Sequence, residues 1–135
     1  MVLDTGILIS AFAFGGIPAK AVKKAFTEAD IYVSPTLLSE YRNVPLELVA
    51  KGKITHIQLE ALITGIAAVV SKAKIVFPRR NLIVCRDPKD NMVLECCLEA
   101  KAGLLITGDN DLIDLNGLLF DLEILSARAY LDQRQ

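Results

Sequence analysis

Leu104-Leu105-Ile106-Thr107-Gly108-Asp109-Asn110-Asp111 joins a short apolar run to a tight, acidic, glycine-containing loop. The run has strand length and no charge, so it reads as a strand buried on both faces. The turn after it sets two aspartates at i and i+2 just beyond the strand's carboxyl end. In an open parallel sheet that edge is where ligands bind. An ordinary Asx turn accounts for the loop, and two carboxylates so placed also suit a hard cation that takes oxygen ligands. Asp114 reads as solvated.

Working outward, Val2-Leu3, Ile31-Tyr32-Val33, Ile75-Val76-Phe77 and Glu123-Ile124-Leu125 are further strand candidates, separated by longer helical patterns. Such alternation predicts an α/β fold of three layers, α/β/α, around a central parallel sheet of about five strands. Ala19, Val22, Phe26 and Ala29 share one helical face. Leu59, Leu62, Ile63, Ile66 and Val70 share another, opened by the capping-box pattern Thr55-His56-Ile57-Gln58, which makes His56 a solvent-facing first-turn residue. Asn91, Glu95 and Glu99 form a polar ridge on a helix that is otherwise apolar and mostly buried. Gly15-Gly16-Ile17-Pro18 reads as a flexible break, and Pro45 is expected to end or kink the helix begun at Pro35. No repeat or linker divides residues 1–135, which read as one domain.

The chain has 135 residues, enough for a sizeable core without disulfides or structural metal. It is 53% hydrophobic, with a mean hydropathy of +0.42. Yet its longest nearly apolar stretches, Ile7 to Phe14 and Ala61 to Val70, are too short to span a membrane. The first basic residue is Lys20, so the start lacks a secretory pattern and the expectation is a cytoplasmic protein. Cys85, Cys96 and Cys97 suit reducing conditions, and a lone histidine with no paired C-x-x-C spacing argues against zinc. Fifteen basic against sixteen acidic residues leave a net charge of −1, so any nucleic-acid contact is local or metal-assisted.

The remaining acids are judged against the strand-end edge. Asp4 follows Val2-Leu3 and precedes the apolar Ile7–Phe12 segment, at a strand-to-helix turn. It could cap the helix near Thr5, but a carboxylate between apolar elements is costly unless its charge is compensated. Ser34-Pro35 reads as an N-cap with proline in the first turn. On the helix that follows, Glu40 shares a side with Leu37, Tyr41 and Val44 and points inward. In Arg86-Asp87-Pro88-Lys89-Asp90-Asn91, Asp87 reads first as an N-cap and second as a ligand; Asp90, one turn in, reads the other way round. Converging carboxylates repel unless cations sit between them, which makes metal their natural counterpart. Magnesium or manganese so held suits phosphodiester hydrolysis without histidine. Arg79, Arg80, Arg86 and Lys89 lie nearby in sequence as candidates to attract substrate phosphates, although a solvated loop accounts for each of them equally well.

Val2-Leu3-Asp4-Thr5, Glu40 in a helix, the 86–91 segment and Thr107-Gly108-Asp109-Asn110-Asp111-Leu112 together resemble the PIN domain. Within it they resemble the VapC-like toxin branch of bacterial and archaeal toxin–antitoxin systems. The resemblance spans nearly the whole chain and implies a parallel sheet, an RNA-cleaving activity dependent on Mg²⁺ or Mn²⁺, frequent homodimers and inhibition by a cognate antitoxin. It carries the family's acids onto Asp4, Glu40, Asp90 and Asp109, with Asp111 and Asp87 accessory and Thr107 and Thr5 as polar neighbours. One departure stands out: the family usually has Asn two residues after its first Asp, where this chain has Gly6. That keeps a second reading open, a catalytically weak or inactive PIN-like module that binds RNA or a protein partner. A dehalogenase-type phosphatase would need a second Asp at position 6 and is set aside.

Overall fold

A computed structural model describes residues 1–119 and 121–133. The strands are β1 (Val2–Leu3), β2 (Tyr32–Val33), β3 (Lys74–Ile75), β4 (Leu104–Ile106) and β5 (Glu123–Leu125). The helices are α1 (Thr5–Ile9), α2 (Gly16–Glu28), α3 (Pro35–Ala50), α4 (His56–Lys72), α5 (Pro88–Ala100), α6 (Asn110–Ile113) and α7 (Ala127–Asp132), with a π-helical turn at Ser10–Phe14.

All strand pairs are parallel, but the ladder comes in two pieces, a three-stranded sheet β1-β4-β5 and a two-stranded sheet β2-β3. Val2 and Leu3 lie opposite Leu105 and Ile106, and Leu104 to Ile106 lie opposite Glu123 to Leu125. One backbone bond, from Tyr32 N–H to Met1 O at 2.9 Å, links the pieces and sets the order β3-β2-β1-β4-β5. The five expected strands are present, but with two or three residues each they pair over too short a length for one continuous sheet. β3 also begins one residue earlier than the apolar run suggests, because the N–H groups of Lys74 and Val76 bond Ile31 O and Val33 O. It is an edge strand with both residues exposed, which fits the lysine at its start.

Val2, Leu3, Leu105, Ile106 and Ile124 are buried at the centre of the sheet. Ile7 and Leu8 of α1, Leu37 and Tyr41 of α3, and Val93, Leu94, Cys96 and Cys97 of α5 fill the core around them. The adjacent cysteines serve as small hydrophobes, and burial pushes the Cys96 thiol up to about 11. No single helix among the described residues is long and apolar enough to cross a membrane.

Two local expectations are corrected, and the expected break at Gly15-Gly16 is present. Pro45 does not end α3, since the helix continues to Ala50. Tyr41 before it and Val49 after it pack on the core, and this tertiary packing offsets the N–H that proline lacks. Ile63 does not join the buried face of α4, which consists of Leu62, Ile66 and Val69; it is 56% exposed. Gly15-Gly16 is a corner with defined geometry. Both glycines have positive φ, and the helices on either side meet at 114°. Pro18 lies in the first turn of α2, where its missing N–H has no helical partner to lose. The caps follow the sequence: Ser34 caps α3, Thr55 and Gln58 form a capping box on α4, and Asp87 caps α5.

Gly65 is the one position where a close approach requires glycine. A Cβ there would lie 2.4 Å from the Phe12 ring, which the π-helical turn presses flat on α4. Gly65→Ala is therefore expected to lower stability by about 1–2 kcal/mol despite alanine's better helix propensity. Urea denaturation checks this, and Phe12→Leu in the same background should recover part of the loss.

Candidate metal centre

The order β3-β2-β1-β4-β5 reverses direction between β1 and β4, and the crevice beyond the carboxyl ends of those strands is the expected ligand site of such a sheet. Asp4 stands just past β1 and Asp109 just past β4, where Asp4 N–H also bonds Ile106 O at 3.0 Å. Glu40 arrives from α3 and Asp90 from the first turn of α5.

Two buried threonines connect these acids. Thr107 donates its hydroxyl to Asp4 Oδ2 at 2.7 Å and accepts the Asp109 N–H at 3.1 Å. Thr5 donates its hydroxyl to Glu40 Oε1 at 2.5 Å, while its own N–H bonds Asp4 Oδ1 at 2.9 Å. Asp4 is thus the N-cap of α1 as well as a member of the group, so cap and site coincide. The same holds at Asp109, which caps α6 through Asp111 N–H at 2.9 Å. Glu40 is half-buried and turned toward Thr5. Tyr41, fully buried beside it, ties α3 to β1 by donating to Leu3 O at 2.5 Å.

Asp90, Asp109 and Asp111 can each present one oxygen within 4.8 Å of the others. The charges are felt across the group. Burial is the main reason that Asp4 is raised above the usual carboxylate range, with Glu40 and Asp109 adding to it. Burial, together with Asp109, pushes Asp90 up to about 6. Burial and the same acids raise the half-buried Cys85 thiol. An all-oxygen donor set of crowded carboxylates fits a hard divalent cation.

The four basic residues separate. Arg86 reaches Asp111 at 3.6 Å, and Lys89 lies exposed in the first turn of α5. Arg79 and Arg80 instead line a groove of about 570 Å³ with Glu95, Glu99 and Lys101, toward the other end of α5. There Arg79 pairs with Glu99 at 3.2 Å, which places this pair about two helical turns or more from Asp90. Asp87 is exposed and bonds Lys89 N–H at 3.0 Å in its capping role.

The sequence reading missed two residues. Nothing in the sequence signals the Tyr41 hydroxyl contact. Asn91, read only as part of a ridge, is buried and bonds the backbone of Val84 and Cys85. A buried amide always needs such partners, so its position on an apolar helix was a usable signal.

The fold and the carboxylate edge define a class of protein, α/β domains that gather acids at a parallel-sheet switch point. The pattern of the PIN domain matches residues 1–111, and the chain belongs to that family. A protein of Methanocaldococcus jannaschii, the uncharacterized MJ1680, is 34% identical over 118 residues, covering 85% of this chain and 74% of that one. Among solved structures, VapBC2 from Rickettsia felis bound to a DNA fragment from their promoter shares the fold. Its TM-score is 0.60 at 13% identity, covering 93% of this chain and 96% of that one.

Asp90 has a carboxyl held at about 6, above its value of 3.8 in an unfolded chain. The folded state therefore binds this proton more tightly. The stability it contributes is complete below 3.8 and is lost as pH rises through 6. Without metal, Asp90→Asn is expected to be more stable than wild type at pH 7.5, on the order of 1–2 kcal/mol with allowance for solvent screening. The difference should fade below about pH 4. Melting in EDTA across this range checks it, and a constant difference at every pH would refute the charge as the cause.

Proposed function

We propose that this chain is a divalent-metal-dependent endoribonuclease acting as a single domain, and the toxin of a toxin–antitoxin pair. What supports the reading is that Thr107 ties Asp4 to Asp109 and Thr5 holds Glu40 beside them, while Asp90, Asp109 and Asp111 can bring one oxygen each within 4.8 Å of one another. These acids, with Asp111, would hold Mg²⁺ or Mn²⁺. A bound cation of this kind supplies positive charge to phosphate oxygens and lowers the pKa of a water.

The chain's own residues do the rest. Thr5 and Thr107 fix the rotamers of Glu40 and Asp4, so the carboxylates need not reorganise when charge arrives. Arg86 and Lys89, at the same edge, attract the RNA phosphate toward an acidic site that would otherwise repel it. Asp87 remains a cap. Membership of the PIN family and the VapBC2 likeness support the toxin reading. Leu46 and Ile63, half-exposed or more beside the groove of about 370 Å³ between α3 and α4, support a protein partner, whether the cognate antitoxin or a second copy. Three free thiols support a cytoplasmic setting.

Gly6 favours a second reading, a weak or inactive module that binds RNA or a protein. It is exposed in the first turn of α1 and offers no side chain beside Asp4.

Purified protein is expected to cleave single-stranded RNA with Mn²⁺ or Mg²⁺, and Asp4→Asn to lower kcat by about 10²–10³. Full activity of that variant, or cleavage undiminished by EDTA, would sink the mechanism. A Cβ at Gly6 meets nothing within 4 Å, so Gly6→Asn should fold normally and raise the cleavage rate. A rate left unchanged removes Gly6 as a cause of weak activity.

A further inference from the structure

Between β3 and α5, residues 76–87 form neither helix nor strand, yet they are fastened along α5. Asn91 Oδ1 accepts the N–H groups of Val84 at 3.0 Å and Cys85 at 2.7 Å, and Nδ2 donates to Cys85 O at 3.2 Å. Glu95 Oε2 accepts Leu82 N–H at 2.8 Å. Glu99 Oε1 accepts Arg79 N–H at 3.1 Å and also holds the Arg79 side chain. The fastened positions step back through 85, 82 and 79 as the helix steps forward through 91, 95 and 99. The segment therefore runs antiparallel to α5 over about 12 Å.

This fastening sorts the side chains. Leu82 and Cys85 turn inward, whereas Arg80, Ile83, Val84 and Arg86 are exposed, Ile83 to 94%. The carboxylates of Glu95 and Glu99 are turned onto the segment's N–H groups and Arg79, while Arg80, Arg86 and Lys89 stand exposed. Neither Arg80 nor Lys89 has an acidic partner within ion-pair distance among the described residues. One end of the strap reaches the acids, at Arg86 and Asp111, and beyond the other Phe77 is 70% exposed.

We propose that the Asn91–Glu95–Glu99 ridge is a clasp that lays residues 79–86 as a track for single-stranded RNA leading to the carboxylate site. Phosphates lie on Arg80, Arg86 and Lys89, and bases lie against Phe77 and Ile83. Cations beside an exposed aromatic ring on which a base can stack are the pattern that single strands recognise, and Phe77 is that ring. The substrate class rests on the ribonuclease reading above; the clasp makes Glu95 a positioning residue for it.

The test measures binding of a fluorescent single-stranded RNA in EDTA, where cleavage does not intervene, and then KM and kcat with Mn²⁺. Glu95→Gln removes a negative charge but keeps the acceptor for Leu82 N–H, so it should bind as wild type or slightly tighter. Glu95→Ala removes the same charge and also the acceptor. It should bind five- to tenfold more weakly, about 1–1.4 kcal/mol, with KM raised and kcat little changed. Electrostatics alone predicts equal behaviour for the two variants, and equality would overturn the clasp. Arg80→Ala, at an exposed and unpartnered side chain, should reduce the slope of log affinity against log salt by about 0.7. It decides the matter even if Glu95→Ala fails to fold. An Arg80→Ala protein with unaltered affinity and slope would overturn the track. RNA binding by the track without metal-dependent cleavage would overturn the ribonuclease reading alone, and cleavage unaffected by Arg80→Ala would overturn the track alone.

Discussion

Thr107 is the hinge pin of the site. Fully buried at the end of β4, it donates to Asp4 and accepts the Asp109 N–H, and so couples the first strand to the loop after the fourth. A buried hydroxyl must have its partners, and here the partners are members of the acidic group. Thr5 repeats the arrangement toward Glu40. Acids that would repel one another are thereby fixed by neutral donors, which orient them without offsetting their charge. Burial first, and the neighbouring carboxylates after it, raise the pKa values of Asp4 and Asp90.

Much of this was legible in the sequence, for identifiable reasons. Strand-length apolar runs, Ser34-Pro35, Thr55 with Gln58, and Asp87-Pro88 are local signals whose physics acts over a few residues; the structure realises the caps, and the strands with β3 shifted to Lys74–Ile75. The positions of Asp4 and Asp109 followed from the single rule that sites lie beyond strand ends. What failed was long-range. Whether Pro45 stops a helix depends on what packs around it, and whether Ile63 is buried depends on how far α4 leans over the core. The proximity of Arg79 and Arg80 to Asp90 in sequence did not become proximity in space, because the intervening chain doubles back along α5.

The strap and the helix divide polar labour in an unusual way. Asn91, Glu95 and Glu99 look like a solvated ridge, yet their acceptors face a segment with no secondary structure of its own. They supply to backbone N–H groups what a neighbouring strand would otherwise supply. That lets the chain cross from β3 to α5 close to the protein surface while keeping a defined path.

The span of the Thr107–Asp4 bond has a further consequence. Its partners are 103 residues apart, and β1 finds its partner β4 only across the same interval. Contacts of such sequence separation form late, after the local helices, and slow a fold's completion. During synthesis the first carboxylate would wait, solvated and apart from its companions, until residues beyond 107 had been made. A growing chain would therefore carry no assembled acidic centre, and the site would appear together with the finished sheet.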